Sequence, residues 1–89
     1  MGWTIEYLAS ARKDVRGLDP PSRNRIRKYL ERLSTLDDPR SLGAPLTGKL
    51  HELWRYRVGP YRIVARIEDE RLVVLVVRIG PRREVYRGG

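Results

Sequence analysis

With 89 residues, 40% of them apolar, the chain can close one modest core and is too apolar to stay disordered. It has no cysteine and one histidine, His51, which excludes disulfides, thiolate zinc sites and a thiol nucleophile and argues against any metal or cofactor; with no apolar run near the roughly 20 residues that span a bilayer and no signal-peptide core, a soluble cytoplasmic protein with no membrane partner is expected. Nineteen Lys and Arg against eleven Asp and Glu leave a net charge of +8, which suits a polyanion or an acidic protein partner.

The first element is a strand over Trp3 to Leu8, with Trp3, Ile5 and Tyr7 on one side and Thr4 and Glu6 on the other. Ser10 reads as the N-cap of a short helix over residues 11–17 that turns Val15 and Leu18 inward. Asp19-Pro20-Pro21 opens a second helix, because prolines in a first turn forfeit no hydrogen bond. That helix runs to about Leu36, with Ile26, Tyr29, Leu30, Leu33 and Leu36 at helical spacing and a basic outer surface. A loop is expected over 37–48. The period then changes to two. Trp54, Tyr56 and Val58 alternate with Arg55 and Arg57, Gly59-Pro60 turns the chain, and Tyr61, Ile63, Ala65 and Ile67 alternate with Arg62, Val64, Arg66 and Glu68. Asp69-Glu70 makes a second turn into "RLVVLVVRI", which is apolar in both phases and so reads as a central strand. The whole is one α+β domain over 1–89, order β-α-α-β-β-β, with two helices on one face of a small antiparallel sheet.

Alternation also assigns the arginines. Burying Trp54, Tyr56, Tyr61 and Ile63 under the helices turns Arg55, Arg57, Arg62 and Arg66 to the opposite, open face. Strict alternation on the last strand groups Val73, Leu75, Val77 and Ile79 on one face and puts Arg78 on the arginine side, with Arg82, Arg83 and Tyr86 at the rim. Like charges opposed on a sheet repel by roughly 0.2–1 kcal/mol per pair. A bound anion offsets that repulsion; a solvated strand face decorated with arginine is the plainer alternative.

The order of elements and the segments "L-x-G-x-L-x-x-L-W-R-x-R-V-G-x-Y-R-I" (46–63) and "I-G-x-R-R-E-V-Y" (79–86) resemble the RelE toxins of bacterial and archaeal toxin–antitoxin systems over nearly the whole chain. The resemblance implies a metal-independent endoribonuclease that cuts mRNA in the ribosomal A site, inhibits translation and is neutralised by a cognate antitoxin, through which a toxin–antitoxin hetero-oligomer binds operator DNA. Residue by residue, it places the catalytic set on Arg55, Arg57, Arg62, Arg82 and Tyr86, and RNA binding on Lys49, Arg66, Arg78 and Arg83.

The implied chemistry is attack of the ribose 2′-OH on the adjacent phosphate. Fixed guanidiniums neutralise the phosphorane, which is where preorganised charge contributes most. Tyr86 is the expected base, its phenol lowered from about 10 by neighbouring arginines. Well-known members carry lysine at the positions of Arg55 and Arg57, and many carry histidine or lysine at that of Pro81. Arginine keeps its proton, so a lysine-base mechanism is not available here. The chain also stops three residues after Tyr86 without the C-terminal helix of some members, so the antitoxin is expected to cover the basic face or distort the site. Two rivals remain. One is a ParE-like toxin that poisons DNA gyrase by binding; the other is a non-catalytic RNA- or antitoxin-binding module.

Overall fold

The computed structural model describes residues 2–46 and 52–81. Strand β1 (Thr4–Tyr7) is followed by helices α1 (Ala9–Arg16) and α2 (Pro20–Ser34), a 3-10 turn (Pro39–Leu42), a two-residue strand β2 (Ala44–Pro45), strands β3 (Leu53–Val58) and β4 (Tyr61–Glu68), a second 3-10 turn (Asp69–Arg71) and strand β5 (Val73–Pro81). The five strands form one sheet in the order β1-β5-β4-β3-β2. It is a mostly antiparallel sheet with two helices packed against it, an α+β fold.

The helices cover one face because their apolar stripes and that of the sheet are complementary. Ile26, Leu30 and Leu33 of α2 and Ala11 of α1 are buried against Tyr56, Val58, Ile63, Ala65, Val74, Val76 and Ile79. Tyr56 stands at the centre, 1% exposed, with its ring edge-on to Tyr29 at 6.1 Å and its hydroxyl donating to the Pro39 carbonyl at 2.9 Å. Burial pushes that phenol up to about 12, so it stays a neutral donor. The β3–β4 hairpin closes through Gly59 and Pro60. Gly59 takes φ +58° at the first loop position, where a side chain would be strained.

Four features depart from strict alternation and loop reading. First, β1 pairs in parallel with β5, Thr4 opposite Val73, although an antiparallel sheet was expected throughout. The two intervening helices supply the long crossover that a parallel pair needs. Second, the expected loop over 37–48 contains the 3-10 turn and β2, which pairs Ala44 with Arg55 and Pro45 with Trp54 at the sheet edge. Third, Val64 faces Arg78 while Ala65 faces Val76, so β5 bulges at Val77. The bulge keeps Val74 and Val76 on the helix side together with Ile79, where alternation had separated them. Fourth, Leu72 stands outside β5, in left-handed backbone at φ +52° and exposed. Ser10, expected as a cap, lies inside α1; Leu8 occupies the cap position and the Ser10 hydroxyl donates to the Val77 carbonyl at 2.7 Å.

Arg40 ties the first 3-10 turn to the β4–β5 connection. Its guanidinium donates to both Asp69 oxygens, at 3.1 and 2.6 Å, and lies 5.8 Å from the Trp54 ring centre. The hydrogen bonds from Arg40 hold the Asp69 carboxyl below the ordinary carboxylate range. A depressed folded-state pKa stabilises the fold above the unfolded value of about 3.9 and is lost as pH falls through the folded value. Thermal unfolding followed from pH 6 downwards is therefore expected to show an acid-labile component below about pH 4 that Asp69→Asn removes. An unchanged pH profile in that variant would contradict the assignment.

Candidate functional site

The face away from the helices is built from three cross-strand rows. Arg57 of β3, Arg62 of β4 and Gly80 of β5 form one; Arg55, Val64 and Arg78 form the next; Leu53, Arg66 and Leu75 form the third. Residues directly opposite in an antiparallel pair point to the same side, so Arg55, Arg57, Arg62, Arg66 and Arg78 share a face, as alternation indicated. Arg78 reaches it through the bulge at Val77.

Their environments differ. Arg62 sits in the middle of the sheet, between Arg57 and Gly80, and is 7% exposed; it is the charged residue among the described buried ones. It was expected to project outward like its neighbours, and its place on an inner strand with partners on both sides encloses it instead. Arg57 is exposed and Arg55 half-buried. Arg66 is exposed and pairs with Glu52 at 3.2 Å. Arg78 is turned towards α1, where its Nε donates to Asp14 at 2.9 Å; the same carboxylate oxygen accepts the Ile79 amide at 2.8 Å. The two expected RNA-binding arginines within the described residues thus each meet a carboxylate, while Arg55, Arg57 and Arg62 lie in adjacent rows of the sheet.

Sequence reasoning missed Asp14. It lies four residues after Ser10, and both side chains grip the free edge of β5 beyond the end of β1: Ser10 at the Val77 carbonyl and Asp14 at the Ile79 amide. That (i, i+4) polar pair on a short helix was the available signal. The two anchors fix the direction in which β5 leaves the sheet. Beside them opens a cleft of about 640 Å³ lined by Lys13, Leu18, Tyr61 and Pro81 among others. The remaining site positions, Lys49, Arg82, Arg83 and Tyr86, and the lone His51, lie outside the described residues.

A cationic sheet face of this kind can hold a polyanion and place two or three guanidiniums around one phosphate. Among the described residues no three carboxylate or imidazole side chains converge to hold a metal ion, and no helix is long and apolar enough to cross a membrane.

Fold and basic face together define a small toxin of the RelE/ParE superfamily. Residues 5–86 match the family described as ParE toxin of type II toxin-antitoxin system, parDE, and the chain belongs to this group of type II toxin–antitoxin toxins. It is 31% identical over 90 residues to Toxin RelG of Mycobacterium tuberculosis (strain ATCC 25618 / H37Rv), covering 98% of this chain and 99% of that protein. Among solved structures, it resembles a chain of the toxin-antitoxin complex RelBE2 from M. tuberculosis with a TM-score of 0.83 and 28% identity over 94% of this chain and 95% of that one. The isolated Escherichia coli RelE toxin superposes with a TM-score of 0.74 at 24% identity, covering 98% of this chain and 94% of that one. The archaeal RelE-RelB complex from Pyrococcus horikoshii gives 0.72 at 22%, covering 94% and 99%.

Proposed function

We propose that this toxin is a ribosome-dependent, metal-independent mRNA endoribonuclease, active in the cytoplasm and inhibited by a cognate antitoxin. The observation that carries the reading is the convergence of Arg55, Arg57 and Arg62 in neighbouring cross-strand positions of one face, with Arg62 enclosed. The ribose 2′-oxygen attacks phosphorus as its proton passes to the Tyr86 phenolate, the bond from phosphorus to the 5′-oxygen breaks, and that oxygen takes a proton from water, the hydroxide so formed reclaiming the proton from the Tyr86 phenol. The products are a 2′,3′-cyclic phosphate and a free 5′-hydroxyl. Arg62 and Arg82 neutralise the charge that builds on the phosphorane, while Arg55 and Arg57 hold the phosphates on either side. The solved relatives in complex with antitoxins support a protein inhibitor for this chain as well.

Arg82→Ala and Tyr86→Phe are each expected to lower growth arrest on induction in a bacterial host, with primer-extension mapping showing fewer mRNA ends. Undiminished arrest from both variants would sink the cleavage site. A second reading has the matched family in its favour, since that family is named for ParE. If the chain instead poisons gyrase, induction breaks DNA and leaves mRNA intact, and both substitutions leave the arrest unaltered.

A further inference from the structure

A second cationic feature lies round the edge of β3. Beyond Arg55 the outer edge of that strand runs past β2, and α2 comes alongside the tip of the β3–β4 hairpin. There α2 presents Arg25, Lys28 and Arg32, with Tyr29 between them. Positions i, i+3, i+4 and i+7 fall on one helical face, so all four side chains point the same way. Between them and Arg57, Val58 and Gly59 runs a groove of about 390 Å³. Four of its seven lining residues are cations and none is acidic.

The groove is shaped as well as charged. Its floor is held by Tyr29, whose ring packs edge-on against the buried Tyr56. At its end the Arg25 guanidinium lies over Gly59, close enough that a β-carbon there would stand 2.8 Å from Nη1. Glycine at this position therefore serves both the left-handed turn and the seat of Arg25.

Arg25, Lys28 and Arg32, three cations on one helical face, repel one another, and an anionic ligand relieves that repulsion. A peptide partner would need apolar anchors for its affinity, and the lining offers Val58 and one half-buried phenol. It offers instead guanidinium forks and an ammonium, which suit phosphate oxygens. The groove is also continuous with the arginine face, because Arg57 lines it and stands opposite Arg62 in the sheet.

We propose that this groove binds the sugar-phosphate backbone of the same single RNA strand that crosses the arginine face, holding the nucleotides that flank the cleaved bond. This deepens the nuclease reading and rests on it, but it concerns binding and can be measured without cleavage. Arg25, Lys28 and Arg32 act as positioning residues.

The test uses the full chain and uncleavable 2′-O-methyl RNA, as a trinucleotide that fills the arginine face and as a strand of about 12 nucleotides, within the footprint range of single-strand binders. The triple variant R25Q/K28Q/R32Q is compared with R12Q/K13Q/R16Q, which removes equal charge from the exposed side of α1. For the longer strand, the groove variant is expected to bind at least tenfold more weakly at low salt. Its slope of log affinity against log salt should shrink by about 2, as three lost single-strand phosphate contacts predict. Trinucleotide affinity should stay within twofold of the parent. The single variant K28E, on the exposed helix surface, should weaken the longer strand in the same direction should the triple variant fold poorly. An unchanged salt slope, an equal loss in the α1 variant, or equal losses for both RNA lengths would overturn the proposal. So would a loss confined to duplex RNA or to an acidic peptide. Growth arrest that survives Tyr86→Phe and Arg82→Ala removes the nuclease reading but leaves the binding comparison intact.

Discussion

Replacing Arg62 with glutamine is expected, on the proposed nuclease reading, to slow cleavage of ribosome-bound mRNA by on the order of 10²–10³-fold, the cost of removing one preorganised charge from a transition state. Arg62 is singled out by its place in the sheet. It is 7% exposed, flanked by Arg57 on one strand and by Gly80, which has no side chain, on the other. Enclosure lowers the local dielectric and strengthens attraction to a phosphorane. Thermal unfolding of the glutamine variant is measured beside its rate, and a loss of activity with the fold intact separates a catalytic role from a structural one. Arg62→Lys keeps the charge but loses the bidentate fork, so its rate should fall between the two. Single-turnover cleavage on programmed ribosomes, read beside thermal unfolding, decides the matter. A variant that cuts at the parental rate would remove Arg62 from the site.

The largest effect on stability is expected at Tyr56. Truncation to alanine removes a ring that is 1% exposed and packs on Tyr29, and by analogy with other buried aromatics it should cost about 3–5 kcal/mol. Against a typical total of about 5–15 kcal/mol, that takes most of the fold's stability. Tyr56→Phe keeps the ring but leaves the buried Pro39 carbonyl without its 2.9 Å donor, at a cost of about 1–3 kcal/mol. Urea unfolding followed by circular dichroism measures both. The alanine variant should also lose growth arrest, but together with soluble protein, unlike Arg62→Gln. Gly43 belongs to the same packing unit. A β-carbon there would approach the Tyr56 ring to 2.7 Å and the Arg55 carbonyl to 2.9 Å.

The parts of the fold legible in the sequence were those with a strong period. α2 showed its stripe of Ile26, Leu30 and Leu33, and β3 and β4 showed their alternation, so the arginine face followed. The bulge at Val77 was hidden because β5 is apolar in both phases, and an inserted residue changes no pattern there. The parallel pairing of β1 left no trace in alternation, which reports faces and not neighbours. Asp14 was passed over because its partners, Arg78 and the Ile79 amide, lie more than sixty residues away. Arg62 read as exposed because alternation assigns a face without saying how deeply a residue sits within it. The groove beside α2 went unseen as a groove. Its helical cations were plain, but that Arg57 and the Gly59 turn come to lie against them is a tertiary fact.

The parallel pairing of β1 with β5 bears on how the protein is born. β5 occupies the place between β1 and β4, so β1 has no partner in the sheet until roughly seventy residues after it have been made. Such distant partners close slowly and late. The complete sheet therefore forms only after its last strand has been made, and the toxin gains its working shape late rather than as it emerges.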